Sequence, residues 1–344
     1  MATDPNHAAI YSALTARTTY TGEINLPCVP AALDHYATML DQLFTQLGKP
    51  LASAEIAKVR ELLEQNLREG YQKASGTQIV VNYQVTTSPT LKKNLGLRVG
   101  MRAPTLNQEY SSWSERRGEV LFGSHADARV LAVASELNDR KAAILDVGAG
   151  PGRNSIPLAQ QGYTVDAVDM SPEFCAKLQE AARIDRLPIR VLNGDIVDPN
   201  TVLIANHYQM AFASEVVSHF RFGSPLPSFL RRMSEVLRPG GKLLFNIFLP
   251  RPGYQPDALA REMSEVAWGT LFSRDDVIDA MRNLPLKLVS DVSVYDYEKQ
   301  HLPASAWPPT GWFEAWTQGQ SVFPFNHGEQ PPIEMRWLLF EKSR

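Results

Sequence analysis

Three glycines follow an acidic residue within one short stretch, ILDVGAGPGRN at residues 144–154. Asp146 precedes Gly148, Gly150 and Gly152. Glycine loses more conformational freedom on folding than any other residue, so this cluster indicates a turn too tight for side chains, or a ligand held against the main chain. The apolar run before the turn predicts a strand, and the residues after it predict a helix. Because open α/β sheets bind ligands beyond the carboxyl ends of their strands, the turn predicts a nucleotide-like pocket.

Residues 148–152, here called the glycine turn, do not match two common phosphate-binding motifs. A dinucleotide-binding fingerprint requires Gly or Ala three residues after its second glycine, and Arg153 stands at that position. A P-loop ends in Gly-Lys-Ser or Gly-Lys-Thr, which is absent here. The glycine turn therefore predicts an adenosine-like ligand without a pyrophosphate.

Further motifs follow in order along the chain. Asp169 ends the run VDAVD about 20 residues after Gly148, the spacing at which an acid accepts both ribose hydroxyls. Asp195 ends NGD, and LRPGGKLLF precedes a later strand. Together with LDVGAGPG, these motifs resemble those of class I S-adenosylmethionine-dependent methyltransferases, and the resemblance runs through most of residues 124–344. It implies an α/β fold with a doubly wound, seven-stranded, mostly parallel Rossmann-like sheet whose last strand is antiparallel.

The resemblance also implies S-adenosylmethionine as the cofactor and assigns residues to it. The glycine turn lets the backbone approach the methionine part, and Asp146 orders the turn or meets the ammonium group. Asp195 and Ile196 hold the adenine, with Met170 against the same ring, and Ser214 faces the sulfur. The expected cofactor-binding residues are Asp146, Gly148, Ala149, Gly150, Asp169, Met170, Asp195, Ile196 and Ser214.

Methyl transfer requires mainly that a nucleophile lie in line with the methyl group and the sulfur. Glu215 and His219, in the run ASEVVSHF, are the catalytic candidates, and their spacing of four predicts a shared helix face. His219 is a general base if the acceptor is a hydroxyl or an amide, whereas a structural histidine is the alternative. An Asn/Asp-Pro-Pro-Tyr motif is absent, which argues against enzymes that methylate the amino group of a planar amide or base.

The elements that position these residues follow from the hydrophobic pattern. From about residue 124, strands alternate with helices, which predicts a parallel sheet covered on both faces. Before it, apolar spacings of three and four predict a helical pair, and β-branched runs predict a hairpin. The predicted helices lie at 30–47 and 53–74, and the hairpin strands lie at 77–85 and 95–102. We expect residues 1–110 to form a mainly helical region with a β-hairpin that recognises a substrate or partner, and residues 111–344 to form the core.

The connection between the sixth and seventh strands, about residues 299–333, is longer than connectors usually are, which indicates a functional loop. We expect this segment to form a lid over an apolar or aromatic acceptor, while core packing of an irregular segment is the alternative. Its aromatic residues are Trp307, Trp312, Phe313, Trp316, Phe323 and Phe325. Four residues shortly before residue 124, where the alternating pattern begins, are expected at the same mouth, namely Tyr110, Trp113, Arg116 and Arg117.

Bulk composition excludes several classes of protein. The chain has 34 basic and 37 acidic residues in 344, a net charge of -3, so we expect no nucleic-acid partner. No stretch approaches the roughly 18 continuous apolar residues of a membrane span, and the polar start is no signal peptide, which predicts a cytoplasmic protein. Cys28 and Cys175 lie far apart without metal-ligand spacing, so we expect packing thiols and no metal site.

These observations predict a methyltransferase that acts by in-line displacement on an oxygen or nitrogen of a small, partly apolar or aromatic acceptor. A protein side-chain methyltransferase, with residues 1–110 docking a folded partner, is the alternative. A non-catalytic binding module and a nicotinamide oxidoreductase fit less well, because the cofactor motifs are intact and Arg153 disfavours a dinucleotide. The identity of the acceptor and the oligomeric state do not follow from the sequence.

Overall fold

The chain forms two compact units, Met1–Tyr110 and Ser111–Arg344. A computed structural model describes residues 5–74, 76–104, 123–221, 225–324 and 329–343. Within these ranges, no helix combines the length and the hydropathy that crossing a bilayer requires.

The first unit combines helices with an antiparallel sheet of order β1-β2-β3. Its elements are α1 Pro5–Arg17, β1 Tyr20–Pro27, α2 Leu33–Gln46, α3 Ser53–Lys73, β2 Gln78–Thr87 and β3 Lys93–Arg102. The predicted helical pair and hairpin are confirmed as α2 with α3 and β2 with β3. The sequence did not indicate β1, a third strand that pairs with β2 over its whole length. Buried apolar side chains of both helices and of β2 form the core: Leu40, Phe44, Leu63, Leu67, Ile79, Val81 and Val85.

The second unit is built on a seven-stranded sheet. Its first half comprises α4 Ala128–Ser135, β4 Ala143–Val147, α5 Ser155–Gln160, β5 Thr164–Asp169, α6 Pro172–Asp185, β6 Ile189–Asn193 and β7 Tyr208–Ala213. Its second half comprises α7 Pro225–Val236, β8 Leu237–Pro250, α8 Ala258–Val266, α9 Arg274–Ala280, β9 Leu286–Ser293, α10 Val294–His301, α11 Phe313–Thr317 and β10 Ile333–Lys342. The strand order is β6-β5-β4-β7-β8-β10-β9, and β10 runs antiparallel to both neighbours. The predicted fold class is confirmed.

The sixth strand, β9, is shorter than the segment that the resemblance assigns to it. That segment, LKLVSDVSVYDY, extends to Tyr297, but the strand ends at Ser293 and α10 begins at Val294. The Ser293 side chain accepts a hydrogen bond from the Asp296 backbone N–H, so a serine cap starts the helix. Because β9 runs parallel to β8, α10 begins at the edge of the sheet where the parallel strands end.

Apolar side chains cover both faces of the sheet. One layer packs against α7 and α9, and the other packs against α4, α10 and α11. The second layer includes Phe313 and Trp316, and Trp307, Trp312 and Phe323 pack against it. These aromatic residues of the 299–333 segment therefore take part in core packing, the arrangement that the alternative to a lid anticipates. Phe325, Tyr110, Trp113, Arg116 and Arg117 lie outside the described residues.

Gly152→Ala and Gly150→Ala form a matched pair that tests packing under the glycine turn. Both positions have positive φ, 104° and 54°, so each alanine incurs a backbone penalty of about 1–2 kcal/mol. At 152 the new Cβ would lie 2.5 Å from the buried Leu178 Cδ1, whereas at 150 it would meet no described atom within 4 Å. We expect Gly152→Ala to lower the free energy of unfolding by about 1–3 kcal/mol more than Gly150→Ala. Urea unfolding of both variants measures this difference, and equal losses would contradict the packing.

Candidate active site

The glycine turn connects β4 to α5, and its glycines serve different purposes. Gly148 has φ of 69°, and a Cβ there would lie 2.3 Å from Val216 Cγ2. The N–H groups of Gly148 and Ala149 donate to the Val168 carbonyl at 2.8 and 3.1 Å, which ties the turn to β5. Gly150 has no described atom within 4 Å of a built Cβ. The backbone at Gly150 is thus open to a ligand, while Gly148 and the buried Ala149 are packed.

Asp169, at the end of β5, joins the second strand to the glycine turn. Its Oδ2 accepts a hydrogen bond from the Gly150 N–H at 2.8 Å, and its Oδ1 accepts from the Ser171 N–H at 2.8 Å. Burial raises the pKa of Asp169, and these two backbone donors oppose the rise. A carboxylate has about four acceptor positions, so each oxygen can accept a further hydrogen bond. The geometry leaves this group able to bind a pair of hydroxyls beside Gly150.

Asp195 and Ile196 follow β6, the next strand. Asp195 Oδ1 accepts from the Val197 N–H at 3.0 Å, so this side chain orders its own turn. Ile196 is buried in the layer that packs against α7. Met170, next to Asp169, is half exposed and free of such packing. Of these three residues, Met170 offers the most open apolar surface to a ligand.

Asp146 orders the start of α5. The side chain is 2% exposed, and its Oδ2 accepts a hydrogen bond from the Ser155 hydroxyl at 2.6 Å. Burial raises the pKa of Asp146 to about 7, although the bond from Ser155 opposes the rise. This bond holds Asp146 to the first residue of α5, and both predicted roles of the acid stay predictions.

Arg153 lies in a buried cluster that the sequence did not indicate. Its Nη1 donates to Asp127 Oδ1 at 2.8 Å, and its Nη2 donates to Glu215 Oε1 at 2.8 Å and to the Ser214 hydroxyl at 3.3 Å. Ser214 in turn donates to Asp127 Oδ2 at 2.7 Å, and the Asn154 amide donates to the same oxygen at 2.9 Å. The side chains of the ion pairs are 4–13% exposed. Two carboxylates therefore share one guanidinium beside the predicted cofactor residue Ser214.

Glu215 does not lie on a helix, so the predicted helix face shared with His219 was wrong. Its backbone is in the left-handed region with φ of 61°, and its N–H donates to Asn246 Oδ1 at 2.7 Å. Only the short 3₁₀ turn Val217–His219 follows among the described residues of this connection. Burial raises the pKa of Glu215, and Arg153 opposes this rise. The ion pair with Arg153 makes Glu215 a structural acid at this point.

His219 ends the 3₁₀ turn and retains surface exposed to solvent. Its ring centroid lies 5.9 Å from that of Trp268, a residue with φ of 58°. Nearby protein groups desolvate the imidazolium and lower the pKa of His219 to about 4, although part of the residue faces solvent. The imidazole is therefore neutral at pH 7, the state that a proton acceptor requires.

The carboxyl ends of four adjacent strands thus carry the predicted residues. The glycine turn follows β4, Asp169 and Met170 follow β5, Asp195 follows β6, and Ser214 follows β7. In the described ranges, no three His, Cys, Asp or Glu side chains are grouped to hold a metal ion. This arrangement can hold an adenosine-bearing ligand along the edge of the sheet, with the neutral imidazole of His219 beyond β7.

Comparison with known proteins shows which class of domain contains this edge of the sheet. Residues 144–241 match the family model of a methyltransferase domain. Hemagglutinin 1 of Eikenella corrodens is 35% identical over 97 residues, 28% of this chain and 31% of that protein. The probable S-adenosyl-L-methionine-dependent methyltransferase TehB of Haemophilus influenzae is 34% identical over 98 residues, 28% of this chain and 33% of that protein. The structure of geranyl diphosphate C-methyltransferase from Streptomyces coelicolor A3(2) aligns with a TM-score of 0.47 and 15% identity, covering 63% of this chain and 79% of that one.

The matched segment contains the glycine turn, Asp169, Asp195 and Ser214, so the class defined here is a methyltransferase domain. This part of the chain is similar to S-adenosylmethionine-dependent methyltransferases. The chain spans about a third of the length of the curated relatives that it matches.

The lowered pKa of His219 predicts a pH-dependent contribution to stability. An unfolded histidine titrates at about 6.5, so between this value and about 4 the unfolded state binds more protons than the folded state. The stability contributed by the neutral ring is complete above pH 6.5 and is lost as the pH falls toward 4. In His219→Gln this loss is absent, so we expect the variant to gain thermal stability relative to the wild type between pH 7.5 and pH 4.5. Melting curves at both values test this, and a pH-independent difference would contradict the lowered pKa.

Proposed function

We propose that the protein transfers a methyl group from S-adenosylmethionine to an oxygen or nitrogen of a small, partly apolar or aromatic acceptor. The observation that carries the proposal is the pairing of Asp169 with Gly150. The Asp169 carboxylate accepts the Gly150 N–H at 2.8 Å and can accept further hydrogen bonds. A Cβ built on Gly150 meets no described atom within 4 Å, so the backbone there is open to a ligand. A ribose with two adjacent hydroxyls fits such a group. The similarity of the matched segment to S-adenosylmethionine-dependent methyltransferases supports the same cofactor.

The residues around this pair would each bind a different part of the cofactor. Asp169 would accept the ribose hydroxyls, Met170 and Asp195 would lie at the adenine, and the backbone of the glycine turn would meet the amino-acid end. Ser214 would lie toward the sulfur. The bound cofactor supplies a methyl group on a sulfonium with a good leaving group, so the work of the protein is to align the acceptor with it.

Removal of the acceptor proton falls to His219 in this proposal. Its neutral ring can accept a proton at pH 7, and a residue of this kind contributes about 10² to 10⁴ in rate when correctly placed. An amine acceptor that arrives neutral does not need this step. Glu215 is excluded from proton transfer in the proposal, because its carboxylate is bound to Arg153.

The surroundings of His219 support an uncharged acceptor with apolar character. Trp268 lies beside the imidazole, and the Trp316 indole donates to the Trp268 carbonyl at 3.3 Å. Arg221, two residues after His219, forms a largely buried ion pair with Glu265 at 2.8 Å. An acceptor at this place would therefore meet aromatic rings and an ion pair whose charges already compensate each other.

Incubation of a cell lysate with methyl-labelled S-adenosylmethionine tests the class of acceptor. We expect the label to appear in small molecules that require the purified protein for their formation. Label in a protein band would favour the protein side-chain methyltransferase. Calorimetry with S-adenosylmethionine, S-adenosylhomocysteine and NAD tests the cofactor, and the proposal fails if NAD binds as tightly as the other two.

Asp169→Ala tests the ribose site. The substitution removes a charged acceptor for two hydroxyls, and hydrogen bonds to charged groups contribute about 1.5–3 kcal/mol each. We expect affinity for S-adenosylhomocysteine to fall roughly tenfold to several hundredfold, measured by calorimetry on protein shown to be folded. Asp195→Ala is the companion variant at the adenine. Unchanged affinity in folded Asp169→Ala would remove this acid from the ribose.

His219→Ala tests the general base after an acceptor has been identified. We expect the single-turnover rate to fall by about 10² to 10⁴ while cofactor affinity stays normal. Because the pKa of His219 is lowered to about 4, the wild-type rate should stay level from pH 9 to pH 5.5 and decline only near pH 4. A rate that declines near pH 6.5 would show that another group is the base.

A further inference from the structure

Arg153 lies where three segments of the candidate site meet. The residue itself follows the glycine turn, its Nη1 reaches Asp127 just before α4, and its Nη2 reaches Glu215 just after β7. Both distances are 2.8 Å, and the arginine side chain is 8% exposed. A planar guanidinium can span two carboxylates in this way, whereas an ammonium group is a single point of charge.

Glu215 is held at both its backbone and its side chain. A residue with a Cβ disfavours the left-handed conformation, and φ of 61° at Glu215 therefore requires support from its surroundings. The support comes from the Asn246 side chain, which accepts the Glu215 N–H at 2.7 Å, and from the ion pair with Arg153. Asn246 is buried in β8 and cannot move freely.

The next residue transmits this constraint to the glycine turn. Val216 Cγ2 lies 2.3 Å from the point that a Cβ on Gly148 would occupy. Val216 thus fills the space beside Gly148, and its place follows from the backbone direction at Glu215. Through this contact the connection after β7 packs against the glycine turn, which follows β4.

We propose that Arg153 is a positioning residue for the amino-acid and sulfur end of the cofactor. By holding Glu215 in the left-handed conformation, it keeps Ser214 and Val216 against the glycine turn, so that the two connections form one support. This inference rests on the proposed function. The proposal assigns Arg153 to one end of the cofactor and not to the adenosine end. Asp169 and Asp195, at the adenosine end, lie on other strands and have no direct contact with Arg153 among the described hydrogen bonds.

Arg153→Met is the test, with two probes measured by calorimetry: S-adenosylhomocysteine, which carries the amino-acid end, and adenosine, which lacks it. We expect affinity for S-adenosylhomocysteine to fall about tenfold to a hundredfold, as for lost hydrogen bonds to charged groups, while adenosine affinity changes by less than about twofold. Loss of affinity for both probes by the same factor, or for neither, overturns the proposal.

A second substitution distinguishes positioning from the mere burial of charge. Asn tolerates the left-handed region better than Glu and carries no charge, so Arg153→Met combined with Glu215→Asn should keep the backbone direction without the ion pair. Asp127 retains its bonds from Ser214 and Asn154 in this variant. We expect affinity for S-adenosylhomocysteine to return to within about fivefold of the wild type. A double variant as weak as Arg153→Met overturns the proposal.

Arg190→Met is the matched control. Arg190 also pairs with a buried acid of the same sheet, donating through Nε to Asp166 Oδ1 at 2.9 Å, but it lies near the start of β6. We expect this variant to melt at a lower temperature and to bind both probes normally. Selective loss of S-adenosylhomocysteine affinity in this control overturns the proposal.

If Arg153→Met does not fold, Arg153→Lys replaces it, because an ammonium cannot bridge Asp127 and Glu215 as the guanidinium does. We then expect a fall of at least about fivefold for S-adenosylhomocysteine alone, and equal effects on both probes overturn the proposal. A wild-type protein that binds neither probe refutes the proposed function itself, whereas normal wild-type binding with unselective variants refutes the role of Arg153 alone.

Discussion

One buried guanidinium, shared by two carboxylates, is the interaction on which the ligand edge of the sheet depends. Arg153 joins the start of α4, the glycine turn and the end of β7 through contacts of 2.8 Å. Removal of one partner from a buried ion pair leaves an uncompensated charge and costs about 3–5 kcal/mol in measured cases. Asn154 and Ser214 both donate to Asp127 Oδ2, the oxygen that the guanidinium does not reach. The cluster therefore joins three segments of this edge that are distant in the chain.

The local part of the fold and site could be predicted because its signals are local. The glycine turn and Asp169 are recognised from spacing, and the Gly150 N–H to Asp169 bond joins them as that spacing implies. The alternation of strands and helices is also a local pattern, and it indicates a parallel sheet. The antiparallel place of β10 followed from the resemblance to a family rather than from any pattern in its residues.

The remaining features depend on contacts between residues distant in the chain. Asp127, Arg153 and Glu215 come from three separate segments, so no spacing brings them together, and the left-handed backbone of Glu215 contradicts the preference of a residue with a Cβ. Strand β1 was missed because its alternation is half exposed and interrupted by a glycine. The lowered pKa of His219 does not follow from the sequence for a similar reason, since desolvation is set by atoms that only the folded chain assembles.

Aromatic side chains illustrate how composition can suggest more than one use. The 299–333 segment is rich in tryptophan and phenylalanine, which suits either a lid or a core. Phe313 and Trp316 are nearly inaccessible, and the Phe248 and Trp316 rings meet edge to face at 5.3 Å. Such pairs add about 0.5–1.5 kcal/mol beyond the area that they bury. The segment is therefore anchored on the sheet through these rings, and the Trp316 indole links it to the Trp268 carbonyl beside His219.

The place of β10 also governs the order in which the sheet can assemble during synthesis. This strand is the last of the described strands to leave the ribosome, yet it lies between β8 and β9. Until it arrives, β9 has no neighbour with which to form its ladder, and β8 presents an unpaired edge. Leu288 and Val289 on β9 are exposed even in the finished sheet, so the nascent chain displays an apolar, unpaired strand for the time needed to add more than forty residues. Unpaired edges and exposed apolar surface are the features that chaperones recognise and that promote aggregation. The chain is therefore most prone to aggregate in the interval before β10 is synthesised.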